Sequence, residues 1–199
     1  MCSFGGFCQT AIILKNNGLK LASYPFDWIF SDCNTIIDCI EDGFSKFLDK
    51  SYHINKPGKK SGHSLYNPDM WHHHNITNPD DYNYYVRCID RFKKLLKYDE
   101  HKLFIMMFKN VNENCEETKK SIIDFNNKLL NYTSNYTLLC IFHVQHKETD
   151  FKFEKNGNID FLKLYTKSAS DGLYFQDHYD NIYLNNLIKE KYKFTLNPL

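Results

Sequence analysis

The chain has 199 residues, of which 42% are hydrophobic and 16% aromatic, and a formal net charge of +1. That length and apolar content support a single domain over residues 1–199 with its own core, and exclude a disordered chain. The near-neutral charge gives no basis for electrostatic capture of nucleic acid, and no run approaches the ~20 apolar residues that cross a bilayer.

The N-terminus lacks a basic segment followed by an apolar stretch and a cleavage site, so no secretory leader is expected. The seven cysteines are scattered without a Cys-x-x-Cys pair and read as reduced thiols, which together with the missing leader points to the cytoplasm.

In chain order, a short strand is expected to end near Phe4, followed by a helix from about Cys8 to Asn17 and a short strand near Lys20–Tyr24. Pro25 keeps its predecessor extended, and Ser31 or Asp32 can cap a helix whose Ile36, Ile37, Ile40, Phe44 and Phe47 follow helical spacing. Residues 52–69 contain Pro57, Gly58, Gly62 and Pro68 and read as a mobile loop, placed where a lid could sit. Asn78-Pro79-Asp80 starts a helix with proline at its first position. Lys102–Phe108 and Tyr136–Val144 are apolar on both faces and are joined by a long amphipathic helix. Such a unit makes two neighbouring parallel strands. Asn156-Gly157 marks a hairpin, and a last helix covers about Asp180–Tyr192. The pattern predicts an α/β fold in three layers, a central mixed, mostly parallel sheet with helices on both faces.

Ser3-Phe4-Gly5-Gly6-Phe7-Cys8-Gln9 is a glycine turn that delivers Cys8 to the first turn of a helix. Unpaired N–H groups and the helix dipole favour a thiolate there, which makes Cys8 a candidate nucleophile with a lowered pKa. A nucleophilic cysteine needs a base and a group that orients it. His72, His73 and His74 follow Trp71. If residues 70–74 form a strand, His72 and His74 share one face. That pair could also face a metal ion, but no carboxylate or cysteine spacing completes a site, and neither metal nor cofactor is expected. His178, in Gln176-Asp177-His178, is a rival base at the last helix. His143 lies inside an apolar strand and reads as a hydrogen-bonded core histidine, whereas His53, His63 and His101 read as loop or surface residues.

The Gly-x-x-Cys turn, the helix, the Tyr24-Pro25-Phe26-Asp27-Trp28 block and a helix closing in Phe44-Ser45-Lys46-Phe47-Leu48 resemble a domain-of-unknown-function family described as putative papain-like cysteine peptidases. The resemblance is strongest over residues 3–49 and thinner from 70 to 110, where His74-Asn75 matches a His followed by a polar residue. It implies Cys8 as nucleophile, His74 as base and Asp27 as the acid that orients the base or shapes the site. The family usually has a small or polar residue before its cysteine, and Phe7 stands there. An oxyanion role would then pass to Gln9 or to backbone N–H groups such as that of Gly6.

The resemblance also implies a papain-like α+β arrangement, the alternative to the three-layer α/β fold. The functions that follow are a cysteine hydrolase acting on a protein or peptide, an inactive protein-interaction module on the same scaffold, or a transferase or sugar-handling enzyme with a phosphate at the glycine turn. Neither nucleic acid nor a membrane is expected as a partner.

Overall fold

The structure, a computed structural model, describes residues 1–193. Its main sheet has the order β1-β5-β6-β8-β7, from β1 (Cys2–Ser3), β5 (Lys102–Phe108), β6 (Tyr136–Gln145), β7 (Asp150–Asn156) and β8 (Ile159–Thr166). β1, β5, β6 and β8 are parallel, and β7 returns antiparallel to β8 through the Asn156-Gly157 hairpin. The two fully apolar runs thus become adjacent central strands, as their composition requires. A strand buried on both faces has no solvent side on which to carry polar residues.

Helices cover both faces. On one lie α1 (Gln9–Asn16) and α6 (His178–Lys191), which bury Ile13, Leu14, Leu184 and Ile188 against Ile105, Leu139 and Leu164. On the other lie α2 (Cys33–Glu41), α4 (Pro79–Leu96) and α5 (Glu116–Leu129), between which a run of aromatic rings packs. Phe4 stacks on Phe104 at 4.4 Å, and Phe92 meets Phe4, Phe26 and Phe44 edge-on at 5.5 to 6.1 Å. Edge-to-face contacts put the positive ring rim on a negative face, adding to the burial of each ring. The fold is the layered α/β arrangement, not the papain-like α+β alternative.

The helix ends follow their local chemistry. Asp32 caps α2 by accepting from Thr35 N at 2.7 Å, and Asn78 caps α4 with Pro79 at its first position. Asp177 accepts from Tyr179 N at the start of α6. Ile182 of α6 is 40% exposed, whereas Leu184, Leu187 and Ile188 are buried.

Three expectations are corrected. Lys20–Tyr24 is not a strand but an irregular connection. Residues 52–69 are not an irregular lid-like loop. They hold a second, antiparallel sheet of β2 (His53–Lys56), β3 (Lys60–His63) and β4 (Asn67–Trp71) after the short helix α3 (Ser45–Leu48). The glycines and prolines there serve a close strand approach and tight turns: a Cβ on Gly62 would sit 2.0 Å from the Pro68 carbonyl oxygen. Finally, His63 is no surface residue. It is fully buried beside Trp71, with Nε2 3.0 Å from the Lys46 carbonyl oxygen. Among the described residues no helix is long and apolar enough to cross a membrane.

Candidate functional site

β1 ends at Ser3, and Phe4 N still donates to Ile105 O at 2.8 Å before the chain turns. Gly5 and Gly6 both have positive φ, 72° and 81°. A side chain would meet Phe26 O and Ser31 Oγ at Gly5, and Met107 O at 2.7 Å at Gly6. Only glycine fits both the conformation and the space. Two hydroxyls lace the turn: Ser3 Oγ lies 2.6 Å from Thr10 Oγ1 and accepts from Gly5 N at 3.0 Å, while Thr10 Oγ1 reaches Phe7 O at 2.9 Å. The turn therefore puts Cys8 at the N-cap of α1, at the carboxyl end of β1, where open α/β sheets place their ligand sites.

The thiol itself does not behave as the helix start predicts. Cys8 is 6% exposed, and burial pushes its pKa up to about 11 instead of lowering it. No hydrogen bond joins its sulfur to a histidine among the described residues. A single helix N-terminus of two turns offers a fraction of a charge, while removing a thiolate from water costs more.

The other predicted residues each have partners of their own. His74 follows the end of β4, so the alternation expected of a strand through residue 74 does not apply. Its Nδ1 lies 3.2 Å from Asp81 Oδ1, its ring stacks on Tyr84 at 4.9 Å, and its carbonyl accepts from Ser61 Oγ. These contacts tie His74 to the start of α4. Asp27 is fully buried; Oδ2 accepts from Tyr24 N at 2.8 Å and from Lys20 Nζ, and Oδ1 has no hydrogen-bond partner among the described residues. Burial raises its pKa and Lys20 opposes the shift. Asp27 thus closes its own turn, and its charge reaches Cys8 only as a weak electrostatic influence that raises the thiol pKa. His178 is exposed in the first turn of α6. The backbone N–H groups of both oxyanion candidates have partners. Gln9 N donates to Gly172 O at 2.9 Å, its side-chain oxygen pairs with Ser170 Oγ, and Gly6 N lies 3.4 Å from Ser31 Oγ.

The Pro25-Phe26-Asp27-Trp28 block does pack beside the glycine turn, through Phe26 and its carbonyl oxygen. Trp28 is half-buried, with Lys20 Nζ 5.9 Å from its ring.

Beside this turn, a cavity of about 280 Å³ opens between Gly6, Phe7, Phe30, Ser31, Asp32 and Tyr66. It continues along Asp38, Lys46 and Leu65 into an adjoining space of about 270 Å³. Phe7 meets Phe30 edge-on at 5.7 Å, and Phe30 meets the His72 ring at 4.6 Å. Of the three consecutive histidines, His72 is the one linked to the turn. Asp38 holds Lys46 at 2.7 Å and accepts from Tyr66 Oη at 2.6 Å, while among the described residues Asp32 makes its helix cap alone. Sequence reasoning missed Phe7, Phe30 and Tyr66 as a set, because they come from three separate segments. Phe7 in place of a small residue was the one available signal. No group of three or more metal-ligating side chains occurs among the described residues.

Comparison with known proteins reaches the same segment. Residues 1–72 match the family described as "Putative papain-like cysteine peptidase". The matched part carries the glycine turn, Cys8, Asp27, α2 and the small sheet, and ends before His74 and His178. The chain is also similar to an uncharacterized protein, R408, of Acanthamoeba polyphaga mimivirus, with 26% identity over 193 residues, covering 81% of this chain and 86% of that protein. No solved structure matches.

Proposed function

We propose that the chain is a protein-interaction module on the scaffold of this family, which holds a peptide in the trough beside the glycine turn without cleaving it through Cys8. The observation that carries this reading is the state of Cys8: buried, with its pKa pushed up to about 11, and with no hydrogen bond from its sulfur to a histidine among the described residues. At pH 7 a thiol with that pKa is ionised in only about one molecule in 10⁴. The trough has the features of a recognition surface. Phe7, Phe30 and Tyr66 give aromatic faces, Asp32 and Asp38 give negative charge, and Lys46 is already held by Asp38. Rings flanked by carboxylates suit a peptide that offers a basic side chain.

The test has two arms. Iodoacetamide at pH 6 should label Cys8 no faster than the other buried cysteines; selective labelling of Cys8 would refute the reading. Fluorescein-labelled hexapeptides with a central arginine should bind more tightly than the same peptides with alanine. The Phe30→Ala and Asp32→Asn variants should each lose that preference.

A second reading, a cysteine hydrolase, is favoured by the family match across Cys8 and by the position of Cys8 at the carboxyl end of β1. It requires a rearrangement that uncovers the sulfur and brings a base to it. A peptide-aldehyde or vinyl-sulfone probe that labels the wild type but not Cys8→Ser would support it.

A further inference from the structure

β7 is the outer strand of the main sheet, hydrogen-bonded on one side to β8 and unpaired on the other among the described residues. Its residues Asp150-Phe151-Lys152-Phe153-Glu154-Lys155-Asn156 are almost all exposed. Such an edge presents a row of free N–H and C=O groups, the template to which another strand adds. At the opposite edge β1 is two residues long, too short to serve in the same way.

The order of side chains along β7 selects its partner. Phe151 and Phe153 stand opposite Leu164 and Leu162, on the side covered by α6, and Lys152 and Glu154 stand opposite Lys163 and Phe161, on the other. A two-fold axis perpendicular to the sheet pairs β7 antiparallel with a copy of itself and keeps each face on its own side. Residues opposed across that axis must then belong to the same face. Centring on Lys152 sets this lysine against itself and Asp150 against Glu154. Centring on Glu154 sets two glutamates face to face. Centring on Phe153 sets Lys152 against Glu154 on both sides of the axis, Phe151 against Lys155 and Asp150 against Asn156. This last register pairs the whole strand and contains no like-charge pair, whereas centring on Lys152 or Glu154 places like charges directly opposite, and centring nearer either end leaves much of the strand unpaired.

The surroundings fit a covered edge. Phe151 is 41% exposed and meets Tyr183 of α6 at 6.4 Å, and Tyr179, one turn earlier, is 77% exposed. Lys152 has no ion-pair partner among the described residues, so the pairing supplies one without breaking another. Glu154 keeps its exposed contact with Lys119 Nζ at 2.7 Å on the neighbouring helix.

We infer that β7 is a self-association strand. A second copy of this chain adds to it antiparallel, centred on Phe153, to make one sheet continuous through both molecules, with a Lys152–Glu154 pair on each side of the axis.

Sedimentation velocity over rising protein concentration tests this. The wild type should move from 23.7 kDa toward twice that mass. Lys152→Glu, which faces Glu154 with glutamate, and Glu154→Lys, which faces Lys152 with lysine, should each associate about tenfold or more weakly than the wild type. Mixing the two variants should restore association, because both 152–154 pairs are then of opposite charge. Both positions are exposed, and the thermal midpoints of the variants should stay close to that of the wild type. A wild type that remains at 23.7 kDa up to its solubility limit would overturn the proposal. So would single variants that associate as the wild type does, or a mixture that associates no better than its components.

Discussion

His143 Nε2 lies 2.7 Å from Thr166 Oγ1, at the carboxyl ends of the adjacent strands β6 and β8. The backbone N–H of Asn110 points at the other ring nitrogen, Nδ1, at 3.2 Å, and an N–H can only donate. Nδ1 is therefore the acceptor and Nε2 carries the proton, which it donates to Thr166. The threonine hydroxyl in turn donates a hydrogen bond to Ser168 O at 2.8 Å. The ring is neutral and fully satisfied, in the place the sequence marks for a core histidine. The same loops connect to the glycine turn, through Asn110 to Ser170 and through Gly172 to Gln9.

Burial holds His143 down at about 4, below the 6.5 of a free imidazole. The unfolded chain therefore binds the extra proton first as pH falls. Its contribution to stability is whole above pH 6.5 and declines as pH drops toward 4, by on the order of 2 kcal/mol after allowance for screening. Urea unfolding from pH 7 to pH 4 should show this slope. His143→Gln, destabilised at neutral pH, should show a shallower one. An unchanged slope in that variant would mean that other groups carry the acid sensitivity.

Gly6 and Gly18 make a matched pair for testing the turn. Both have positive φ, 81° and 67°, but a Cβ on Gly6 would stand 2.7 Å from Met107 O, whereas nothing lies within 4 Å at Gly18. Gly18→Ala should cost about 1 kcal/mol from backbone strain alone. Gly6→Ala should cost about 2–4 kcal/mol, because backbone must move as well. Chemical denaturation of the two variants should separate these costs; equal losses would show that the turn relaxes freely around Gly6.

Lys20 compensates the buried carboxylate of Asp27. In Lys20→Met that compensation is gone, and the folded-state pKa of Asp27 rises further above its unfolded value. A carboxyl group raised in this way binds more protons folded than unfolded, so stability should fall as pH rises above about 4. The loss at pH 7 should reach about 3 kcal/mol or more, as for other broken buried ion pairs. Thermal midpoints of the variant and wild type should converge at acid pH and diverge at neutral pH. A pH-independent difference would assign Lys20 a packing role only.

Phe92 is the ring on which the aromatic layer converges, touching Phe4, Tyr24, Phe26 and Phe44 while fully buried. Phe92→Ala should lose about 3–5 kcal/mol and loosen the Pro25-Phe26-Asp27-Trp28 block against the glycine turn. Ile182→Ala, at an exposed site on α6, should change stability by less than about 0.5 kcal/mol. Differential scanning calorimetry of both variants checks the contrast.

The layered fold was legible because its signals are local and strong. Leu103 to Met107 and Leu138 to Val144 could be satisfied only as strands buried on both faces, Asn156-Gly157 could turn a hairpin within two residues, and Asn78-Pro79 could start a helix. The small sheet over residues 53–71 was not legible. Its strands are four or five residues long and carry Lys, Asn, Gly and Pro, and they are held by the Gly62–Pro68 approach and by the burial of Trp71 and His63. Such strands have little propensity of their own, and partners distant in sequence supply their stability. The glycine turn and its cysteine were likewise visible in sequence, because two glycines before a helix prescribe a backbone. The environment of that cysteine was not. Whether a thiol at a helix start ionises depends on what removes water from it and whether a base reaches it. Here the packing around Cys8, and the contacts that hold His74 to Asp81 and Tyr84, belong to tertiary structure alone.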